Sequence, residues 1–338
     1  MSLDPFDAMG DSPRAFFFKD EPSGLRAILC LDDLRLGPAA GGVRTWTYEN
    51  TEAALADARR LSRAMSIKCA LAGLAAGGAK TVISAGHLVQ RERAFEVLGQ
   101  RIEELGGIYR CAGDLGTGDA DLQAMARKTG YVHTNSVDLS ASVARGTLRC
   151  LEALVEARGR RIEGLRVAVQ GCGSIGAAVA KALGDDGAEL FVADLDAERA
   201  ERCSAATGAR VLSPNAILRA DVDVLVPCAT GHVITEELAR QTPAFGVCGA
   251  ANNALATQHV ASILADRGVH HVPDVLASAG AVIDGIGETV MGLDVAGREV
   301  LIDGLKATTA SLLKRAVRER RPPEHLAWEM AKERMQAA

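Results

Sequence analysis

Hydrophobic residues in this chain gather in two ways: in runs of strand length, and at the three-to-four-residue spacing of a helix face. Leu25-Arg26-Ala27-Ile28-Leu29-Cys30-Leu31 is a run of the first kind and predicts a strand. Gly37-Pro38-Ala39-Ala40-Gly41-Gly42-Val43-Arg44 follows and reads as a loop. Residues 51–64 put Ala54, Leu55, Ala58 and Leu61 at helical spacing, with Thr51 placed to cap the helix. Thr81-Val82-Ile83 predicts a strand, residues 92–105 an amphipathic helix, and Ile108-Tyr109-Arg110-Cys111-Ala112 a short strand. Strands alternating with helices predict an α/β domain, assigned to residues 1–138.

The second half carries the alternation further. A helix over 144–157 connects to Leu165-Arg166-Val167-Ala168-Val169-Gln170, a buried strand. A glycine turn and a helix follow: Gly171-Cys172-Gly173-Ser174-Ile175-Gly176. Gly171 permits the turn, Gly173 lets the backbone approach a pyrophosphate, and Gly176 lets helix and strand pack closely. The helix start at Ser174 and Ile175 turns unpaired N–H groups and a positive dipole end toward phosphate. The next strand, Ala188-Glu189-Leu190-Phe191-Val192-Ala193, ends in Asp194, where a carboxylate binds ribose hydroxyls and repels a 2′-phosphate. NAD is therefore expected as cofactor, and NADP stays open because Arg199 and Arg202 follow. Residues 223–229 and 244–249 predict further strands, the latter ending at Ala250-Ala251-Asn252-Asn253. A Rossmann-like domain is assigned to 139–300, and helices over 301–338 are expected to return to the first domain.

Chemistry enters with two lysines twelve residues apart, Lys68 and Lys80, in a stretch otherwise rich in Ala, Gly and Leu. Such surroundings desolvate an ammonium group and lower its pKa, which suits a general base near neutral pH. A pair of solvated surface lysines is the competing reading. Composition narrows the rest. The chain has 338 residues, 48% of them hydrophobic, enough for two domains with large cores. No apolar run is long enough to span a bilayer, and the acidic start Met1-Ser2-Leu3-Asp4 has no signal-peptide character. The net charge is −5 with no basic stripe, which argues against nucleic acid as a partner. The eight cysteines stand singly and the seven histidines are scattered, so reduced thiols, a cytoplasmic location and no metal site are expected.

Taken in order, these motifs resemble the Glu/Leu/Phe/Val amino-acid dehydrogenase superfamily, nearest its leucine and phenylalanine dehydrogenase branch. The resemblance rests on Gly37-Pro38-Ala39-Ala40-Gly41-Gly42, Lys68, Gly77-Gly78-Ala79-Lys80-Thr81, Gly113-Asp114-Leu115-Gly116-Thr117, the glycine turn, Pro227-Cys228-Ala229, Ala250-Ala251-Asn252-Asn253 and Pro273-Asp274. It implies two domains and reversible NAD-dependent oxidative deamination of an L-amino acid to its 2-oxo acid and ammonia. By resemblance, Lys68 holds the substrate carboxylate, Lys80 is the base that activates water, and Asp114 shuttles protons at the amino nitrogen. Gly41 and Gly42 border the substrate, and Ala40, Ala112, Val282 and Gly285 line its side-chain pocket. The small Ala40 and Gly285 leave room for an apolar or aromatic side chain, while Asp284 could favour a basic one. Cys228, Ala229, Ala250 and Asn252 join the glycine turn around the cofactor. A homo-oligomer of two or more copies is also implied.

Two segments depart from the family pattern. Its Ser-Pro-x-Thr run is replaced by Ser140-Ala141-Ser142-Val143, and its Asn-Ala-Gly-Gly run by Ser278-Ala279-Gly280-Ala281. Val143 cannot donate the threonine's hydrogen bond. Both changes fall at the cofactor–substrate junction. They keep open an amine or imine oxidoreductase acting on a non-standard substrate. A non-catalytic nucleotide-binding paralogue is the other alternative, against which the intact Lys80 and Asp114 argue.

Overall fold

The computed structural model describes Met9, residues 13–134 and residues 139–338. The chain divides into two compact units. One comprises Met1–Val137, Gly285–Leu293 and Ala331–Ala338; the other comprises Asp138–Asp284 and Asp294–Met330.

The first unit is built on five strands: β1 (Arg14–Asp20), β2 (Leu25–Leu31), β3 (Ala39–Trp46), β4 (Gly77–Ser84) and β5 (Tyr109–Gly113). Their order in the sheet is β1-β2-β4-β3-β5, with β1 and β2 antiparallel to their neighbours and β3, β4 and β5 mutually parallel. Alternation along β4 splits its side chains between two layers. Ala79 and Ile83 join Phe95, Leu98 and Ile102 of the helix Arg91–Glu104 in one core. Val82 joins Ala54, Leu55 and Ala58 of the helix Thr51–Leu71 in another. Lys80 lies on the Val82 face.

Three local readings change. The helix cap lies one residue earlier than expected: Asn50 is the cap, its side chain accepting from Ala53 N at 2.8 Å, in keeping with the strong preference for Asn there, and Thr51 is the first helical residue. The same helix runs on past the expected 64 to Leu71, so Lys68 sits in its last turn. The segment expected to be a loop at 37–44 is mostly β3. Glycine is depleted in strands unless backbones must approach closely. That condition holds here, because a Cβ on Gly41 would fall 1.7 Å from the Ala79 carbonyl oxygen. Gly78 plays a similar part between layers: its Cβ would lie 2.2 Å from Ser66 N and 2.3 Å from Ser62 O. The helix therefore lies directly on the backbone of β4.

The second unit is a six-stranded sheet of β6 (Arg166–Gln170), β7 (Glu189–Ala193), β8 (Arg210–Val211), β9 (Val224–Pro227), β10 (Gly246–Val247) and β11 (His270–His271). All neighbours are parallel, in the order β11-β10-β9-β6-β7-β8. The chain winds outward one way through β7 and β8 and the other way through β9, β10 and β11. The reversal falls between β6 and β9, the switch point where such sheets bind ligands at their carboxyl edge.

The C-terminal helices do not follow the expected division. The helix Val295–Glu319 belongs to the second unit up to its last residue, and only Ala331–Ala338 is grouped with the first. Its packing on the helix Ser140–Glu156 is the reason. Leu305 sits where a Cβ on Gly146 would come within 3.1 Å, and Thr309 Oγ1 donates to Cys150 Sγ at 3.2 Å. Asp303 accepts from Arg145 Nη2 at 2.7 Å and from Arg149 Nε at 2.8 Å. This seam of close packing, a buried hydrogen bond and ion pairs joins two helices far apart in sequence, which no local pattern signals.

Candidate active site

The register of the first sheet brings together the residues that carry charge. Val43 of β3 pairs with Gly113 of β5, so Arg44 and Asp114 follow at neighbouring positions. Arg44 pairs with Val82 of β4, two residues beyond Lys80. The result is a Lys80 Nζ–Asp114 Oδ2 ion pair of 2.8 Å. Lys80 is 6% exposed, so its ammonium group has little water to replace that carboxylate. Gly42 leaves the space: a Cβ there would lie 2.8 Å from Asp114 Cβ and 3.2 Å from Lys80 Nζ.

Arg44 completes the cluster. Its Nε donates to the same Asp114 Oδ2 at 2.8 Å, and its Nη1 donates to Asp57 Oδ2 at 3.2 Å. Tyr48 OH donates to Asp57 Oδ2 at 2.9 Å, and Arg60 Nη2 to Asp57 Oδ1 at 2.7 Å. The charges alternate from Asp57 through Arg44 and Asp114 to Lys80. Burial pushes the Lys80 pKa down, and the attraction of Asp114 recovers only part of that because Arg44 adds repulsion. Burial pushes Asp114 up, but Lys80 and Arg44 together outweigh it and hold the carboxyl below its ordinary value. The favoured proton distribution is a weakly held proton on Lys80 beside an ionised Asp114. Arg44 and its partners carried no role in the sequence. The available signal was strand alternation, which puts Arg44 on the same face of β3 as Gly42.

Lys68 is half-buried on the helix Thr51–Leu71. It stands two residues beyond Ser66, which abuts Gly78, itself two residues before Lys80. Ala40 and Gly41 are buried within β3, and Ala112 is half-buried in β5, paired with Gly42. Val282 and Gly285 lie three residues apart on the helix Gly280–Thr289, hence on one face. A Cβ on Gly285 would meet nothing within 4 Å. Asp284 is already engaged: Arg298 forms an ion pair with it at 2.5 Å, and Ser142 Oγ donates to it at 2.8 Å. That neutralises the residue considered for a basic substrate side chain.

The second unit places the glycine turn at the switch point. Gly171 has φ +94°, a region that favours glycine, and its N–H donates to Ala193 O at 2.7 Å. A Cβ on Gly176 would strike the Gly171 carbonyl oxygen at 1.9 Å, and one on Gly171 would meet Ala229 at 2.7 Å. Cys228 and Ala229 thus close one side of the turn. A Cβ on Gly173, by contrast, would meet nothing within 4 Å, so the turn is open where a pyrophosphate has to approach. The helix Ser174–Asp185 has no side-chain cap, which leaves the first-turn N–H groups, from Ser174 through Gly176, to a ligand. These features fit a dinucleotide. Asp194 is half-buried after β7; its Oδ2 accepts from Cys172 N at 2.7 Å and its Oδ1 from Asp196 N at 2.9 Å. Burial pushes its pKa up, and these backbone N–H groups more than offset that and lower it. Arg199 and Arg202 are exposed and paired along their own helix, with Asp196 at 3.3 Å and Glu198 at 3.5 Å.

Ala250 is buried and Asn252 exposed in the segment after β10. Ser278 Oγ approaches Asn252 Oδ1 at 3.1 Å and donates to Asp274 O at 2.7 Å, while Asp274 Oδ2 accepts from Asn253 N at 2.6 Å. The two departing segments prove to be one place. A Cβ on Gly280 would lie 1.9 Å from Ser142 O and 2.8 Å from Val143 Cα. Residues 135–138, just before the helix Ser140–Glu156, lie outside the described residues. Among the described residues, no helix is long and apolar enough to cross a membrane and no cluster of His, Cys, Asp or Glu could hold a metal.

A nucleotide-type turn in one unit and a desolvated lysine–carboxylate pair in the other define a dehydrogenase class, and comparison with known proteins narrows it. The model of the Glu/Leu/Phe/Val dehydrogenase dimerisation domain matches residues 17–131, and that of Glutamate/Leucine/Phenylalanine/Valine dehydrogenase matches residues 192–296. Leucine dehydrogenase of Bacillus subtilis (strain 168) is 34% identical over 335 residues, 96% of this chain and 92% of that protein. Phenylalanine dehydrogenase of Bacillus thermotolerans is 34% identical over 292 residues, 82% of this chain and 76% of that protein. The crystal structure of L-tryptophan dehydrogenase from Nostoc punctiforme superposes with a TM-score of 0.90 at 30% identity, covering 98% of both chains. The chain belongs to the Glu/Leu/Phe/Val dehydrogenase family. It is an amino-acid dehydrogenase, an oxidoreductase acting on CH–NH2, of a family that uses NAD(P).

Gly42→Ala would bring a Cβ to 2.8 Å from Asp114 Cβ and 2.9 Å from Gly113 O, so it is expected to displace Asp114 from Lys80 with a local shift of β5. Amino-acid-dependent nucleotide reduction should fall by about 10²-fold, the scale of a misplacement near 1 Å. Unchanged turnover in a folded variant would contradict the geometry given for the pair.

Proposed function

We propose that this protein catalyses the reversible, NAD-dependent oxidative deamination of an L-amino acid with an apolar or aromatic side chain. In the forward direction the amino acid, NAD+ and water give the 2-oxo acid, ammonium, NADH and a proton. The buried Lys80–Asp114 pair carries this reading. It is a base with a lowered pKa held against an ionised carboxylate, and the reaction needs both.

Lys68, as a point charge, holds the substrate α-carboxylate. The glycine turn would hold NAD through its pyrophosphate, and the cofactor would supply the hydride acceptor for the α-carbon. Neutral Lys80 then takes a proton from the water that attacks the imine carbon. Asp114 exchanges a proton with the amino nitrogen as it leaves. Gly42 lets both groups lie close against β3. Side-chain choice rests on small residues, Ala40 and Gly285, and on relatives named for leucine, phenylalanine and tryptophan. An apolar pocket separates substrates differing by one methylene by only about 1–3 kcal/mol. Several apolar amino acids are therefore expected to react.

NAD is the proposed nucleotide because Asp194 presents a carboxylate at the end of β7 and the nearest arginines are tied to acidic partners on their own helix. A homo-oligomer is proposed on two grounds: the family model over 17–131 is described as a dimerisation domain, and the edge strand β1 carries an exposed Phe17. The eight free cysteines fit the reducing cytoplasm.

The direct test is NADH formation with a panel of L-amino acids, and NADH consumption with 2-oxo acids plus ammonia. Leucine-like and aromatic substrates should be turned over, and Lys80→Ala should abolish turnover while still binding NADH. An active Lys80→Ala variant would overturn the assignment. A further expectation concerns the nucleotide. Asp194→Ala removes a charged acceptor whose bonds are worth about 1.5–3 kcal/mol each. Its NADH affinity, read by fluorescence titration, should fall at least tenfold, and its preference over NADPH should shrink. Better kinetics with NADP in the unaltered protein would show that the arginines reach the ribose.

A further inference from the structure

The cluster contains one group to which the reaction gives no part. Arg44 is half-buried, and its guanidinium bridges two carboxylates, Asp114 through Nε and Asp57 through Nη1. Both cations at Asp114, Lys80 and Arg44, approach the same oxygen, Oδ2, at 2.8 Å each. The carboxylate is thus held through one oxygen by two cations.

We propose that Arg44 is the positioning residue of this site: anchored on Asp57, which Tyr48 and Arg60 hold in turn, it keeps Asp114 ionised against Lys80 with Oδ1 turned to the substrate nitrogen. The inference rests on the reading of Lys80 and Asp114 given above. Its physical basis is a charge balance. When Lys80 releases its proton, a carboxylate paired only with Lys80 would be left buried without a counter-ion. That costs several kcal/mol, so the lysine would keep its proton. With Arg44 present, the carboxylate remains ion-paired throughout, and Lys80 can be neutral at lower pH. A lysine at position 44 would carry the charge but could not reach both carboxylates in a fixed fork.

The other titratable groups nearby do not replace it. The helix Thr51–Leu71 contributes Asp57, Arg60 and Lys68; β2 contributes Cys30, in register with Lys80; β5 contributes Tyr109 and Cys111. Tyr109 is fully buried and donates to Gly41 O at 3.1 Å, and burial pushes its phenol well up. Burial likewise raises the Cys111 thiol to about 12. Tyr48 is raised by burial and by its bond to Asp57. None of these is a cation placed to hold Asp114.

The test is an Arg44→Gln variant compared with the parent and with Arg44→Lys. Lys80 Nζ is followed by NMR in protein labelled with 15N-lysine, without substrate, alongside steady-state kinetics with the best L-amino acid and NAD. In Arg44→Gln the Nζ titration should move to higher pH by about one unit, the smallest effect expected of a charge at this distance. The rising limb of kcat should move with it. At neutral pH kcat should fall at least tenfold while KM for the amino acid, governed by Lys68, stays near the parent's. Arg44→Lys should titrate close to the parent yet lose kcat, which separates charge from bridging geometry and stands as the second variant should Gln fold poorly. A purely structural role would lower the melting temperature without displacing the titration or the kcat limb, and that result overturns the proposal. A parent that oxidises no amino acid overturns the reaction and this role together. An active parent with an unshifted Gln variant overturns the role of Arg44 alone.

Discussion

Desolvation of one ammonium group is the constraint on which the first unit turns. Taking Lys80 out of water costs several kcal/mol, more than a single charged hydrogen bond of about 1.5–3 kcal/mol returns. Asp114 supplies that bond, and burial still prevails, so the lysine's pKa falls. The carboxylate is in the opposite position: two cations face it, and their sum exceeds the cost of burial. This asymmetry follows from position in the sheet. Lys80 lies on an inner strand beneath a helix, with Gly78 and Gly42 bringing neighbouring backbone and side chains close, whereas Asp114 stands just past the end of β5 and keeps a quarter of its surface exposed.

The nucleotide unit solves a different problem with different means. A bound pyrophosphate needs backbone donors, not a tuned side chain. The glycine turn provides them because Gly171 and Gly176 allow strand, turn and helix to touch, and because Asp194 holds Cys172 N in place. The departures from the family pattern, at 140–143 and 278–281, meet across one helix crossing. Ala141 stands where the family has proline, and the neighbouring Ser142 uses its hydroxyl on Asp284, which Arg298 also engages. Two substitutions that look independent along the chain therefore form a single local change in packing.

Much of this was legible in the residues because it is local. The turn at 171–176 needs glycine for reasons of close approach within a few residues, and the apolar setting of Lys80 is visible in its neighbours. Asp114 took its meaning from the resemblance. What escaped the sequence was set by contacts between distant segments. Glycines in β3 read as a loop until the proximity of the Ala79 carbonyl explained them. The helix read as ending at 64 because glycines follow soon after, yet its packing on β4 carries it past Lys68 to Leu71. The helix Val295–Glu319 was misplaced because its seam with Ser140–Glu156 depends on side chains some 150 residues apart, such as Arg149 and Asp303 at a separation of 154. Arg44 had no visible role because its carboxylate partner lies 70 residues on, across two strands.

The role of Lys80 depends on where the substrate's α-carbon binds. A crystal structure of the protein with NADH and a non-reacting 2-oxo acid analogue measures this directly. The expected complex has Lys80 Nζ and Asp114 Oδ1 each within about 2.6–3.2 Å of the oxygen or nitrogen on that carbon, with Lys68 on the carboxylate. An analogue held away from Lys80, or a Lys80 turned from it toward bulk water, would contradict the claim that this buried lysine is the base of the reaction.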